Sequence, residues 1–351
     1  MIVDTSQQIL ETIGNLKKAS VQEIISHLPE AKSRQWISTI LNKLSRQGKL
    51  SRAKMGKHVF YVLPQNKDLL AKKVVRKLVN NTLAEDKVFA DLKKAAPFLT
   101  GINENIESIL FYAFTEMLNN AIEHSESKTI EVKIEKIENK IAFEVLDKGI
   151  GVYKNIKNKN KLNSELDAIG ELLKGKTTTL PHSHTGEGIF FTSKIADIFI
   201  LDSYGYRLRI DKLINDIFVE EIDNTKGTSV RFELNENSDK HLNDVFRLYQ
   251  SEPGSYSFDK TRVYIKLYTA GTVYISRSQA RRLLTNLDKF TVIILDFEGL
   301  KTIGQAFADE IFRVFKARHP DIELSPINTN EAVTFMIDRA KKDDQLPLIE
   351  E

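Results

Sequence analysis

The sequence contains no cysteine, which excludes disulfides, thiolate zinc sites, iron–sulfur ligation and cysteine nucleophiles together. Proline and glycine are sparse, eight and sixteen in 351 residues, so a disordered majority is excluded as well. No apolar run approaches the roughly eighteen residues of a membrane span. The N-terminus, MIVDTSQQIL, lacks the basic-then-apolar order of a secretory signal. A cytoplasmic protein without membrane contact is expected. What is present is the balance of a folded chain, 41% hydrophobic against 28% charged residues, at a length that suits more than one domain.

Net charge is uneven. Residues 1–66 hold ten Lys and Arg against four Asp and Glu, while the remainder carries a slight negative excess. A basic end is a reason to look for nucleic acid. Three apolar stripes at helical spacing lie there: Ile9, Leu10, Ile13, Leu16; then Val21, Ile24, Ile25, Leu28; then Trp36, Ile37, Ile40, Leu41, Leu44. A hairpin follows, Leu50–Ala53 and His58–Val62 around Lys54-Met55-Gly56-Lys57. This order resembles a winged helix-turn-helix over residues 1–66. The third helix turns Arg34, Gln35, Ser38, Thr39, Asn42, Lys43 and Arg46 away from its stripe, and these side chains suit base edges and phosphates. Arg52, Lys54 and Lys57 of the hairpin would meet the adjacent DNA backbone. A module that only docks protein is the alternative.

Residues 67–99 read as a helical connector with Leu70, Val74, Leu78 and Val79 on one face, fit for docking or for homodimerisation. In the middle segment, Ile106, Ile109, Leu110, Ala113, Phe114, Met117, Leu118, Ala121 and Ile122 keep helical spacing without a slip and predict a long buried helix. Glu116 and Asn120 stand one turn apart beside that stripe, so a carboxylate and a carboxamide converge. In the strand Ile141–Asp147 the alternation turns Asp147 inward with Ile141, Phe143 and Val145. A carboxylate there needs a partner. Gly149 and Gly151 follow, then Gly186 and Gly188 before an apolar helix, then Gly227-Thr228 before the strand Ser229–Phe232. Glycines permit tight turns and close backbone approach, and a helix N-terminus suits phosphate.

These four elements, in this order, resemble the GHKL ATP-binding fold of gyrase-type topoisomerases, MutL, histidine kinases and anti-sigma-factor kinases, over residues 100–238. The resemblance implies an α/β sandwich of the Bergerat type, with ATP between the helices and a mixed sheet, and Mg²⁺ as companion. It implies Glu116 as the group that orients or deprotonates the attacking water or hydroxyl, Asn120 as the Mg²⁺ ligand and Asp147 as acceptor of the adenine amino group. Gly149, Gly151 and Thr228 would shape the adenine side and Gly186 and Gly188 the triphosphate side. The stretch 152–185, with six lysines, would be the lid. Within it Gly170–Thr177 spells a P-loop, but no buried strand precedes it. Glu116 stands where histidine kinases usually carry Asn, and the connector holds no histidine, so autophosphorylation of the conventional kind is not expected.

A last segment alternates strand and helix: 262–268, 272–275, 291–297 and 322–325 as strands, 277–288, 304–317 and 329–341 as helices. Val292–Phe297 with the helix from Gln305 resembles a STAS-type module over residues 255–345. Gly304-Gln305-Ala306 carries no Ser or Thr where anti-sigma antagonists are phosphorylated, although Thr302 is near. The expected protein is multidomain α+β: winged helix, GHKL sandwich and STAS-like α/β layer. The expected function is an ATP-binding, slowly hydrolysing DNA-binding regulator whose STAS-like module meets a protein partner or senses the lid. An anti-sigma-type serine/threonine kinase and a non-hydrolysing ATP-bound scaffold are the alternatives.

Overall fold

Three hydrophobic cores divide the chain. The structure is a computed structural model that describes residues 5–29, 32–55, 58–70, 72–176, 187–224, 226–250, 258–265 and 276–342.

In the first core, α1 (Thr5–Leu16), α2 (Val21–His27) and α3 (Arg34–Arg46) bury Ile9, Ile13, Ile24, Ile37, Leu41 and Leu44. Ser20 and Glu23 form a reciprocal capping box at the start of α2, and the Ser33 hydroxyl accepts from the Trp36 N–H at the start of α3. A small antiparallel sheet closes the module: β1 (Ala19–Ser20), β2 (Ser51–Met55) and β3 (His58–Val62), in the order β1-β3-β2. Trp36 does not belong to the buried stripe. It is 42% exposed, with the Lys32 ammonium 5.4 Å from its ring. The stripe runs Ile37–Leu41–Leu44, and one residue back on a helix is a rotation of about 100°, enough to turn the indole outward.

Part of the expected helical connector is a strand. After a 3₁₀ segment (Pro64–Leu70), β4 (Lys73–Val79) becomes the edge of the central sheet, pairing antiparallel with β5 (Thr129–Ile137) from Lys73 opposite Glu135 to Val79 opposite Thr129. Of the apolar face expected of a helix, Val74 is buried and Leu78 half-buried as an edge strand's inner row, Leu70 precedes the strand and Val79 is exposed. The helical part of the region is α4 (Glu85–Ala95).

From that edge the sheet continues through β6 (Lys140–Asp147), β10 (Thr228–Asn235), β7 (Ile198–Ser203), β8 (Tyr206–Asp211) and β9 (Asp216–Glu221). Each of its pairings is antiparallel, where the resemblance implied a mixed sheet. One face packs on α4 and α5 (Glu104–His124), with the Phe143 ring in contact with both Phe114 and Phe232. The opposite face carries charge: Arg231 donates to Glu135 on β5 and to Glu233 on its own strand, and Lys133 meets Glu135. Two layers result, because only one face is apolar. After β6 come α6 (Val152–Lys159), α7 (Glu165–Lys174) and α8 (Gly188–Ile195). The P-loop spelling begins inside α7, whose Ser164–Asp167 capping box opens a helix that holds Gly170–Lys174 rather than a phosphate loop, and Thr177 lies outside the described residues.

After α9 (Leu242–Arg247), the third core surrounds a parallel sheet, β11 (Lys260–Tyr264), β12 (Val292–Asp296) and β13 (Glu323–Ile327). Parallel neighbours need crossovers, supplied by α10 (Arg277–Leu284) and by α11 (Gln305–Asp309), which runs through a π-helical stretch (Glu310–Phe315) into α12 (Lys316–Arg318). α13 (Glu331–Lys342) completes the layer. The strand expected at 272–275 lies outside the described residues.

Candidate nucleotide and DNA sites

The long buried helix puts Glu116 and Asn120 one turn apart, both half-buried, on the side of α5 that meets α8. Gly188, the first residue of α8, lies against the carboxylate: a β-carbon there would stand 2.0 Å from Glu116 Oε2. A helix N-terminus attracts a carboxylate. Tyr112, one turn before Glu116, has its hydroxyl pushed well up by burial and then by the negative charges of Glu116 and Glu187. Three acidic or phenolic groups therefore crowd the start of α8.

Asp147 ends β6 with its side chain inward and is 3% exposed. Burial raises its carboxyl above the ordinary aspartate range, opposed by hydrogen bonds from Gly149 and Thr228. The Gly149 N–H donates to Oδ1 at 2.8 Å, and the Thr228 hydroxyl accepts from the Val152 N–H at 3.0 Å. Asp147, Gly149 and Thr228 thus form one cluster. Gly149 has an internal reason to be glycine, since a β-carbon would fall 1.7 Å from the Ser125 carbonyl that ends α5. Gly151, at φ +76°, would strike the Tyr204 ring at 2.3 Å with a side chain. Gly186 lies outside the described residues.

The sequence reading did not single out Ser125 and Ser127. Both are buried, and the Ser125 carbonyl accepts from Ile150 while Ser127 Oγ accepts from Lys148, so the turn after Asp147 is fastened to the end of the helix that bears Glu116. Small polar residues directly after a buried helix were the available signal. Phe191 was not singled out either. Phe191 lies 4.5 Å from Phe246 and 5.0 Å from Phe258, ring centre to ring centre, so α8 is shared between the second and third cores.

Outward on the first module stand Arg34, Gln35, Thr39, Asn42, Lys43 and Arg46, all exposed, with Ser38 half-buried. The Ser38 and Thr39 hydroxyls donate to the carbonyls of Arg34 and Gln35 within the helix. Arg52 of β2 donates to Asn42, and with Arg46 these residues line one concave surface. Lys54 is exposed on the hairpin, and Lys57 lies outside the described residues.

Three family models match the chain. Residues 2–96 match the penicillinase repressor family, residues 105–238 the histidine kinase-, DNA gyrase B- and HSP90-like ATPase family, and residues 279–334 a STAS-like domain of unknown function. The chain joins a repressor-type winged helix, a GHKL ATPase domain and a STAS-like domain. No curated protein matches it. The repressor match continues to residue 96, past the hairpin and across β4 and α4, although those elements pack on the ATPase core. The winged helix is therefore wired into the edge strand of the ATPase sheet. Among the described residues no helix is long and apolar enough to cross a membrane, and no group of three acidic or histidine side chains could hold a metal by itself. A nucleotide fits what is present: a buried carboxylate ending a strand, glycines whose side chains would clash, and a helix N-terminus facing Glu116.

Proposed function

We propose that this protein is an ATP-responsive DNA-binding regulator in which the occupancy of the ATPase domain sets the arrangement of the modules on either side. Residues 1–66 bind DNA, α3 reading the groove through Gln35, Thr39 and Asn42 while Arg34, Lys43, Arg46, Arg52 and Lys54 meet phosphates. Asp147 accepts the amino group of the base, with Gly149, Gly151 and Thr228 shaping that end of the pocket. Asn120 would hold Mg²⁺, whose charge would offset that of the phosphates. Glu116 takes the proton of the attacking water at its carboxylate, and slow turnover resets the protein.

One observation carries the coupling: α8 begins against Glu116 and continues, through Phe190 and Phe191, into the core of the STAS-like domain. A shift of α8 on ligand binding cannot leave that domain where it was, because packed aromatic cores do not deform continuously. At the other end, β4 ties the winged helix to the same sheet.

The test measures DNA affinity with and without ATP–Mg²⁺, following phosphate release in the same samples, with Asp147→Asn as control. A nucleotide-dependent shift in the unsubstituted protein alone supports the reading. DNA binding indifferent to nucleotide in both proteins overturns the coupling. Glu116→Ala is expected to keep nucleotide and lose turnover; unchanged hydrolysis would remove Glu116 from the role of base.

A further inference from the structure

Trp36 is the chain's one tryptophan, and its ring stands in the open on the helix that reads DNA in the function proposed above. It is the third residue of α3, with its N–H held by the Ser33 hydroxyl, and it is 42% exposed. An indole is a large apolar group that ordinarily hides most of its surface. Thr39 and Lys43 lie three and seven residues further along α3, so Trp36 shares their exposed side, and Arg34 and Gln35 before it are exposed as well. Helical side chains lean toward the N-terminus, which carries the ring out over the start of α3, where the Lys32 ammonium lies 5.4 Å from its centre.

The surroundings choose the occupant. Among the described residues of the first module no other large hydrophobic side chain is exposed, so the ring belongs to no apolar patch of the kind that a protein partner covers. Its neighbours are cationic or hydrogen-bonding, Lys32, Arg34, Gln35, Thr39 and Lys43, a composition that suits a polyanion. Side chains near the N-terminus of a groove-reading helix are the ones that reach base edges. In the major groove the one apolar feature of a base edge is the C5-methyl of thymine. Hydrogen bonds from Gln35, Thr39 or Asn42 can meet the thymine O4, but only an apolar group gains from the methyl.

We propose that Trp36 reads thymine, its ring packing on the C5-methyl of one thymine at the edge of the major groove. The inference rests on the DNA reading of residues 1–66 and adds to it an apolar contact that sets sequence preference. Lys32, beside the ring, keeps the local charge positive where the DNA backbone passes.

The full-length protein tests it with duplexes enriched by binding from a random-sequence pool, whose thymines are then replaced one at a time by deoxyuridine, a change that deletes only the methyl. One such replacement is expected to weaken binding about fourfold in the unsubstituted protein, the worth of a buried methyl group, and to have no effect in Trp36→Ala. The dependence of affinity on salt is expected to have the same slope in both, since the ring neutralises no phosphate. Trp36→Leu, which keeps an apolar side chain, should retain part of the preference for the methyl, and Trp36→Gln should lose it. As the single tryptophan, Trp36 also reports directly: its emission is expected to shift to shorter wavelength on addition of the duplex, as water leaves the ring.

Methyl effects that are equal at every thymine in the unsubstituted and alanine proteins overturn the proposal, and so does a DNA complex whose tryptophan emission is unchanged. Loss of self-association in Trp36→Ala with DNA affinity intact assigns the ring to a protein contact and overturns it too. Each of these outcomes leaves the DNA reading of residues 1–66 standing. If the unsubstituted protein retains no duplex from the pool, that reading falls, and the role of Trp36 with it.

Discussion

Gly188 and Glu116 touch across two helices, close enough that any side chain at 188 would enter the space of the carboxylate. The nearest atom is the end of a flexible side chain, so Gly188→Ala is expected to fold by displacing Glu116. Misplacing a catalytic group by about 1 Å can cost roughly 100-fold in rate. Turnover is expected to fall on that order while the melting temperature stays within a few degrees. Unaltered hydrolysis in Gly188→Ala would show that Glu116 needs no fixed position.

Asp147 is expected to make nucleotide affinity depend on pH. Its carboxyl titrates above the ordinary aspartate value because it is buried, and only the ionised form carries full charge toward a donated amino group. Affinity should be flat on the alkaline side and decline as pH falls through that raised value, approaching tenfold per unit below it. Calorimetry between pH 4.5 and 8 reads this directly, and a flat profile throughout would refute the assignment.

The same residue has a stability consequence of opposite sense. A carboxyl whose folded-state pKa is raised favours the folded state only at low pH, and this contribution is lost as pH rises. At neutral pH Asp147 therefore destabilises the empty protein, and Asp147→Asn is expected to melt at the same or a higher temperature while binding nucleotide poorly. A large drop in its melting temperature would mean that the carboxylate is structural.

Phe191→Ala removes a 3%-exposed ring from the seam between α8 and the STAS-like domain. Large-to-small changes of this kind cost about 3–5 kcal/mol. Chemical unfolding should show the STAS-like domain separating from the ATPase domain in a distinct transition, and the DNA response to nucleotide should weaken. Retention of one cooperative transition with full coupling would place the communication elsewhere.

On the winged helix, Arg46→Ala removes an exposed charge from the concave surface shared with Asn42 and Arg52. Binding should weaken for all DNA sequences alike, and the salt-dependence slope should shrink by about 1. Gln35→Ala should instead relax sequence preference with little change in slope. Identical effects from both would mean that α3 does not enter a groove.

Short-range pattern decided much of this protein. The stripe from Ile106 to Ala121 needs only the helical period, the inward turn of Asp147 only the alternation of β6, and the crossovers of the last domain only the spacing of strand and helix. Gly149, Gly151 and Gly188 could be read because a β-carbon at each would strike its neighbours. Other features depended on partners far along the chain. Lys73–Val79 is compatible with a helix until β5 offers a row of hydrogen bonds, and pairing across the sheet then outweighs a weak local preference. Trp36 was placed inward by proximity to the stripe and outward by the angle of its own Cα–Cβ bond. Neither Phe191 nor Lys194 differs locally from ordinary helix residues. Their surroundings are built from Phe246, Tyr249, Phe258 and Tyr264, dozens of positions later. Periodicity fixes which side of an element is apolar; burial, charge and the identity of a neighbour are sums over the folded molecule, and only tertiary packing supplies them.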